Sequence, residues 1–206
     1  YSSLDIPPQQ YLNFSGNLFG NSLVLSERLK VMASRDLYIN YGLFTQVVSG
    51  KPEYYAVDTP SAGSSPVRAY VDFSRAGNVM TGASSIDLPP AFQILVPAAE
   101  ASVSRAAPLA LSWTNVDPTA TMILDVAGSC VDGSRYTLNH IIGPDTTGSV
   151  TLTSADYFPA TGISSSINCR VAFMLQRVRT GGVSAQFAFG SFNGIQQRTV
   201  QFNTTP

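Results

Sequence analysis

Residues 169–189 read CRVAFMLQRVRTGGVSAQFAF, the clearest alternation of apolar and polar residues in the chain. The apolar residues fall at every second position on both sides of a glycine pair, Gly181-Gly182. A period of two is typical of a β-strand with one buried face, whereas an amphipathic helix repeats every 3.6 residues. Glycine also supplies the positive φ angles that tight hairpin turns need. The stretch therefore predicts two neighbouring antiparallel strands joined at the glycine pair.

The same alternation recurs along most of the chain. Leu109, Leu111 and Trp113 form one such run, and Asn193-Gly194 is a second candidate hairpin turn. The only predicted helix is a single turn at Ser154–Phe158, capped by its serine and ended by the following proline. Further alternating runs begin at Leu23, Leu37, Val67, Phe92, Met122 and Val150. This pattern predicts an all-β fold built from antiparallel strands.

The dipeptide Pro89-Pro90 interrupts the strand pattern, because proline has no N–H to donate to a ladder. A fresh series of alternating residues begins directly after it. We therefore predict two antiparallel β domains, residues 1–90 and residues 91–206.

The composition limits the classes of partner. Among 206 residues only 12% are charged, about half the usual share, and the net charge is −1. Such a chain has no long-range field that attracts phosphate, so we expect neither nucleic acid nor an anionic membrane surface as a partner. We predict no transmembrane segment, since no apolar run reaches the roughly 20 residues that a span requires. The polar opening from Tyr1 is typical of a mature or trimmed chain.

Two hypotheses fit the two cysteines, Cys130 and Cys169. They are either free thiols in a cytosolic protein or the two halves of one disulfide. His140 is the only histidine, so the chain lacks the usual ligands of a structural zinc site. The low charge and the abundance of Ser, Thr, Asn and Gly are typical of exported β-proteins. We therefore favour the disulfide and a secreted, periplasmic or cell-surface location.

Residues 92–202 resemble the immunoglobulin-like or fibronectin-III-like modules of bacterial surface and exported proteins. The resemblance depends on the run PLALSWT at residues 108–114, on about seven candidate strands, and on the turn and strand of residues 145–152. It implies a β-sandwich with Trp113 between the two sheets, and it implies no catalytic residue. The chain departs from antibody domains, because Trp113 precedes both cysteines and Ile167 replaces the tyrosine of the tyrosine corner.

The motifs of enzymes and metal sites are missing from the sequence. His140 stands beside two isoleucines, and the chain has no Gly-x-Ser-x-Gly elbow. Phosphate-binding glycine motifs and a calcium loop of the EF-hand type are absent as well. Four aspartates, Asp117, Asp125, Asp132 and Asp145, are interpreted as turn residues, with an inter-loop calcium site as the alternative. We predict no catalytic residue, no bound metal and no cofactor.

Four residues form a candidate binding face. Arg177 and Arg179 share one parity of their strand, which favours a solvated face or a site for a small anion or a carboxylate. Tyr38 and Asn40 share one face of an earlier strand, as in surfaces that bind sugars, although tyrosine is also an ordinary strand residue.

The leading functional hypothesis is a non-catalytic exported or cell-envelope protein that acts in binding or surface display, with a protein partner. One alternative is a structural subunit of an extracellular filament or coat. Its extended opening segment, Tyr1–Phe19, would complete the sheet of a neighbouring copy by self-assembly. The other alternative is a carbohydrate-binding module or a weak hydrolase.

Overall fold

The computed structural model describes residues 84–159, 161–182 and 192–206 in full. For residues 9–18, 28–33, 44–48, 51–58, 68–75, 78–83 and 187–191 it describes the backbone alone. The described residues lie mostly in β-strands, with one helix of a single turn, so the predicted all-β class is confirmed. None of the described helical residues forms a helix long and apolar enough to span a membrane.

The strands are numbered in chain order. They are β1 (Gln9–Leu18), β2 (Arg28–Ala33), β3 (Phe44–Val48), β4 (Lys51–Asp58), β5 (Arg68–Arg75), β6 (Asn78–Asp87), β7 (Ile94–Val96), β8 (Ser102–Ser104), β9 (Leu109–Trp113), β10 (Asp117–Cys130), β11 (Arg135–Asp145), β12 (Ser149–Leu152), β13 (Cys169–Thr180) and β14 (Phe187–Thr205). The helix, α1 (Ser154–Tyr157), lies between β12 and β13.

The strands group into two compact units. Unit 1 contains Ala91–Arg177 and Gln197–Pro206, and unit 2 contains Gln9–Pro90 and Val178–Gln196. Residues 178–196 thus group with unit 2, although the sequence analysis placed them in the second domain. The single strand β13 (Cys169–Thr180) runs through Arg177 and Val178, so one continuous strand contributes residues to both units.

Unit 1 contains two sheets that share one hydrophobic core. The larger has the order β11-β10-β13-β14, with β8 parallel to β14, and the smaller has the order β12-β9-β7. Trp113 is buried in the core, as the resemblance implied. Both sheets contribute to it, with Leu109, Leu111 and Leu152 from the smaller sheet and Met122, Leu124, Val126, Val171, Phe173, Leu175 and Phe202 from the larger.

Strand β11, which the alternation did not predict, forms a hairpin with β10. Its inward residues include Tyr136, Leu138 and Ile142, which pack against the core. The alternation was hidden because His140 occupies an inward position and Ile141 an outward one. Gly143 and Pro144 at the end of the strand are tolerated because β11 lies at the edge of the sheet order.

Unit 2 has one sheet with the order β14-β1-β4-β3 and a second with the order β2-β5-β6. Strand β1 was also missed, because Tyr1–Phe19 shows little regular alternation. Its residues pair antiparallel with β4, from Gln10 opposite Asp58 to Ser15 opposite Glu53. Residues 9–18 are therefore already hydrogen-bonded within their own chain.

The two predicted glycine turns differ from the structure. Neither Gly181 nor Gly182 has a positive φ, and Gly182 instead forms an isolated bridge with Ser85. The predicted turn at Asn193-Gly194 is wrong, because both residues lie within β14. A Cβ atom on Gly194 would lie 2.8 Å from Leu88 Cδ2, so glycine is needed there for close packing rather than for a turn.

The predicted helical turn is present, but its cap is Thr153 rather than Ser154. The Asp156 carboxylate accepts hydrogen bonds from the Thr153 backbone N–H at 2.7 Å and from the Thr153 hydroxyl at 2.8 Å. An acid three residues after the cap is the signature of a capping box. The spacing of Thr153 and Asp156 in the sequence therefore marks the start of this helix.

Gly128→Ala is expected to destabilise unit 1 by about 1–3 kcal/mol. Gly128 lies opposite Tyr136, and an added Cβ would collide with the tyrosine ring that covers it. Urea denaturation followed by circular dichroism measures the change. In a Tyr136→Ala background the same Gly128→Ala substitution should cost much less, because the collision is gone. An equal cost in both backgrounds would contradict the explanation.

Candidate functional site

Cys130 and Cys169 form a disulfide between the end of β10 and the start of β13. The disulfide hypothesis is therefore confirmed, and the hypothesis of two free thiols is wrong. Both cysteines are buried in the core of unit 1. The Val131 N–H beside the bridge donates to the Asn168 carbonyl at 3.1 Å. The disulfide thus holds the tip of the β10–β11 hairpin against the chain that enters β13.

Arg177 is completely buried in unit 1, so the solvated strand face predicted for it is wrong. Its guanidinium Nη2 lies 2.7 Å from Asp145 Oδ2 and donates to the Thr114 carbonyl at 3.1 Å. Arg177 continues the inward parity of Val171, Phe173 and Leu175, which is why it points into the core. It does bind a carboxylate, but that carboxylate belongs to the same chain.

Asp145 connects strands of both sheets in unit 1. Its Oδ1 accepts a hydrogen bond from Trp113 Nε1 at 2.7 Å, and its Oδ2 accepts one from the Asp117 backbone N–H at 3.0 Å. With Arg177, these contacts join β9, β10, β11 and β13 through one buried carboxylate. Hydrogen bonds with a charged partner are stronger than neutral ones, so this network fixes the relative positions of four strands.

Two arginines stack on one phenylalanine beside this network. The Cζ atoms of Arg177 and Arg198 lie 4.6 Å and 5.4 Å from the centre of the Phe92 ring. Arg198 also donates from Nε to the Phe92 carbonyl at 2.8 Å. Burial, together with the charge of Arg177, lowers the pKa of Arg198. The cluster is packed inside the protein and holds strands together, so we do not interpret it as a ligand site.

The remaining residues of the predicted binding face are not brought together by the structure. Arg179 is half-buried in unit 2, where it donates to the Asp87 carbonyl at 3.4 Å, whereas Arg177 belongs to unit 1. Tyr38 and Asn40 lie outside the described residues.

Of the four aspartates interpreted as turn residues, Asp117 and Asp132 each accept hydrogen bonds from the N–H and hydroxyl of the residue two positions further on, as turn aspartates do. Asp132 lies in the β10–β11 turn, where it accepts hydrogen bonds from the Ser134 N–H and hydroxyl, and these bonds lower its pKa. Asp117 and Asp145 are buried, and Asp125 lies on a strand. In the part of the chain that the structure describes, no group of three or more His, Cys, Asp or Glu side chains could hold a metal ion.

His140 contacts an acid at the surface of unit 1. Its Nδ1 lies 3.7 Å from Asp156 Oδ1, and both side chains are partly exposed. Asp156 also caps α1, so the pair links the helix to strand β11. Among the described residues, no serine hydroxyl lies within hydrogen-bond distance of the His140 imidazole.

The outward face of the β10–β11 hairpin carries Ile141, the most exposed large apolar side chain among the strand residues whose side chains the structure describes. Ile141 is 67% exposed and lies directly opposite Ile123. Beside them the Asp125 carboxylate accepts hydrogen bonds from the amides of Asn139 at 2.6 Å and Gln176 at 2.9 Å. We name these five residues, four on the hairpin and Gln176 on the neighbouring β13, the hairpin face. It combines an apolar pair with a fixed acid and two amides on a sheet edge.

The inward face of the same hairpin carries Tyr136, whose hydroxyl oxygen is buried. Burial raises the pKa of Tyr136 to about 12; the positive charge of Arg105 opposes this increase and Tyr157 adds to it. In the unfolded chain the phenol ionises near pH 10. The neutral phenol therefore favours the folded state, fully below pH 10 and progressively less as the pH rises to about 12.

Stability between pH 10 and pH 12 should consequently fall more steeply for the wild type than for Tyr136→Phe, which cannot ionise. Urea midpoints measured at intervals of half a pH unit test this. The ionisation of the other tyrosines affects both proteins equally, so it does not contribute to the difference between the two curves. Parallel curves for the two proteins would contradict it.

Comparison of the chain with protein-family models, with curated proteins and with solved structures finds no match.

Proposed function

We propose that the protein is a non-catalytic exported or cell-envelope protein that acts by binding a protein partner, and that the hairpin face is the surface it uses. The observation that carries the proposal is Ile141, which is 67% exposed on an edge strand. Ile141 and the directly opposite Ile123 form one contiguous apolar pair, and a contiguous apolar patch on a surface favours a contact with another molecule. Asp125 and its two amides supply the polar groups that give such a contact specificity.

Two features support the finer parts of this proposal. The buried disulfide supports export, because disulfides form and persist in oxidising compartments. The two sheets of unit 1, packed on one core that includes Trp113, support an immunoglobulin-like or fibronectin-III-like sandwich. The filament alternative needs Tyr1–Phe19 as a donated strand, and residues 9–18 would first have to leave their own sheet.

Site-specific cross-linking in the producing cells tests the proposed surface. A photoreactive amino acid at position 141 should give a discrete cross-linked protein product. The matched control places the same group at Ala110, which is exposed on β9 of the other sheet. Identical products at both positions, or none at position 141, would count against the proposal.

Cell fractionation tests the proposed location. The protein should be found in the secreted or envelope fraction with no thiol reactive to alkylation under denaturing conditions. A cytosolic protein with two reactive thiols would overturn the proposed export.

A further inference from the structure

Strand β11 is the last strand in the order of the larger sheet, so one side of its backbone has no neighbouring strand among the residues that the structure describes. The Cys130 N–H donates to the Ser134 carbonyl at 2.9 Å, and hydrogen-bonded pairs alternate along an antiparallel ladder. Strands β10 and β11 keep one register from Arg135 to Ile141. The odd-numbered residues of this stretch therefore direct their N–H and C=O groups away from β10, toward the edge of the sheet.

The middle of this edge lacks the features that keep edge strands from pairing. Residues 137–142 read TLNHII, without a lysine, an arginine, an acid or a proline. Arg135 stands at the start of the strand and Pro144 near its end. Natural proteins place charges or prolines on edge strands, because the free N–H and C=O groups can otherwise pair with another chain. Residues 137–142 therefore form an unprotected segment between two protected ends.

A second copy of β11 matches this edge on both faces. In an antiparallel pair the odd-numbered residues of one copy bond to the odd-numbered residues of the other, because only these direct their backbone groups to the edge. Residues of one parity lie on one face of a sheet. The partly buried inward side chains of Tyr136, Leu138 and Ile142 therefore lie beside those of the second copy, and polar Thr137 and Asn139 lie beside polar residues.

Charge also favours a second copy. The net charge of the chain is −1, so two copies repel each other only weakly. Antiparallel pairing places the two Arg135 side chains at opposite ends of the joined strands, with the uncharged residues 137–142 between them. Like charges directly opposite each other on neighbouring strands would destabilise the pair, and this arrangement avoids them.

We propose that the protein pairs with a second copy of itself through β11, antiparallel and edge to edge, so that the larger sheet of unit 1 continues from one copy into the other. A contact confined to one pair of strands is smaller than the roughly 1,600 Å² interface of a stable complex. The association is therefore weak, reversible and dependent on concentration.

The pairing leaves the hairpin face open, because the side chains of a strand stand roughly perpendicular to the sheet. The hairpin faces of the two copies then lie on the same side of one continuous sheet. A protein partner contacts two copies of the Ile123 and Ile141 pair instead of one. This last step rests on the proposed function, whereas the pairing itself does not.

Sedimentation velocity of the purified full chain, without any partner, tests the pairing. The average mass should rise from that of one chain toward that of two as the concentration increases from about 1 μM to about 1 mM. Hydrogen exchange measured by NMR locates the contact. The amides of Thr137, Asn139 and Ile141 should exchange at least about tenfold more slowly at the higher concentration, whereas those of Tyr136 and Leu138 bond to β10 in both states and should not change.

Matched variants make the test specific. Thr137→Lys adds a charge to the edge, and Thr137→Pro removes one N–H that points away from β10, so both should abolish the rise in mass. Ala110→Lys adds the same charge to an exposed position on β9 and should associate as the wild type does. The proposal is overturned if the wild type remains a single chain up to about 1 mM, if Thr137→Lys associates as the wild type does, or if the mass doubles while the three edge amides keep their exchange rates.

The photoreactive group at position 141 separates the two proposals. A cross-linked product of two copies of this chain would support the pairing alone, whereas a product with a different protein would support the proposed function.

Discussion

Asp145→Asn is expected to lower the free energy of unfolding of unit 1 by about 3–5 kcal/mol. Asparagine has nearly the shape of aspartate and keeps an oxygen that can accept the Trp113 indole N–H. The substitution therefore removes mainly the negative charge that lies 2.7 Å from the Arg177 guanidinium. Because both side chains are fully buried, water cannot solvate the Arg177 guanidinium in place of the carboxylate. The unpaired buried cation therefore destabilises the folded state.

Trp113 offers a direct measurement of this loss. It is the only tryptophan of the chain, and its indole donates to Asp145. Its fluorescence during urea denaturation therefore follows the unfolding of unit 1 at the network itself. Asp125→Asn is the matched control: it removes a part-buried carboxylate that two neutral amides hold, so its effect should stay within about 1 kcal/mol.

A double variant separates the cost of a buried charge from the loss of packing. Replacing Arg177 by methionine in the Asp145→Asn background removes the cation as well, and buried ion pairs are often replaced by apolar groups at little net cost. The double variant should accordingly be more stable than Asp145→Asn alone. If Asp145→Asn unfolds at the same urea concentration as the wild type, the ion pair does not have the role assigned to it here.

The sequence predicts the parts of this fold that depend on local patterns. Alternation identified β9, β12 and β13, since each of these strands has one side in the core and one side outward. Strand β11 was missed because its single histidine faces inward and Ile141 faces outward, the reverse of the usual arrangement. Strand β1 was missed because its sequence shows little regular alternation, and pairing with β4 still holds it in place.

The buried ion pair joins two residues that are far apart in the chain, so no local pattern predicts it. The inward parity of Arg177 was visible in the chain, since it follows Val171, Phe173 and Leu175 at intervals of two. Its partner was not visible, because Asp145 is 32 residues away and stands beside glycine, proline and threonine as a turn aspartate does. Only the strand order β11-β10-β13 within the larger sheet brings the two charges together. An inward arginine therefore predicts a buried acid, but the sequence does not say which one.

Removing the disulfide should lower the free energy of unfolding by about 4 kcal/mol, because the bridge closes a loop of 39 residues and restricts the unfolded chain. The wild type in dithiothreitol should lose this amount, whereas the double variant Cys130→Ala/Cys169→Ala should be insensitive to the reductant.

Comparing these two proteins separates the contribution of the cross-link to the free energy of unfolding from the contribution of side-chain packing. The reduced wild type keeps both buried sulfur atoms, so any further loss in the double alanine variant measures the cavity that their removal leaves. The Trp113 transition in urea, with mass spectrometry to count free thiols, gives both values. An unchanged midpoint in protein shown to carry two free thiols would mean that strand pairing alone holds β10 against β13. Such a result would also weaken the argument for export, because a bridge that contributes nothing to stability gives the protein no reason to need an oxidising compartment.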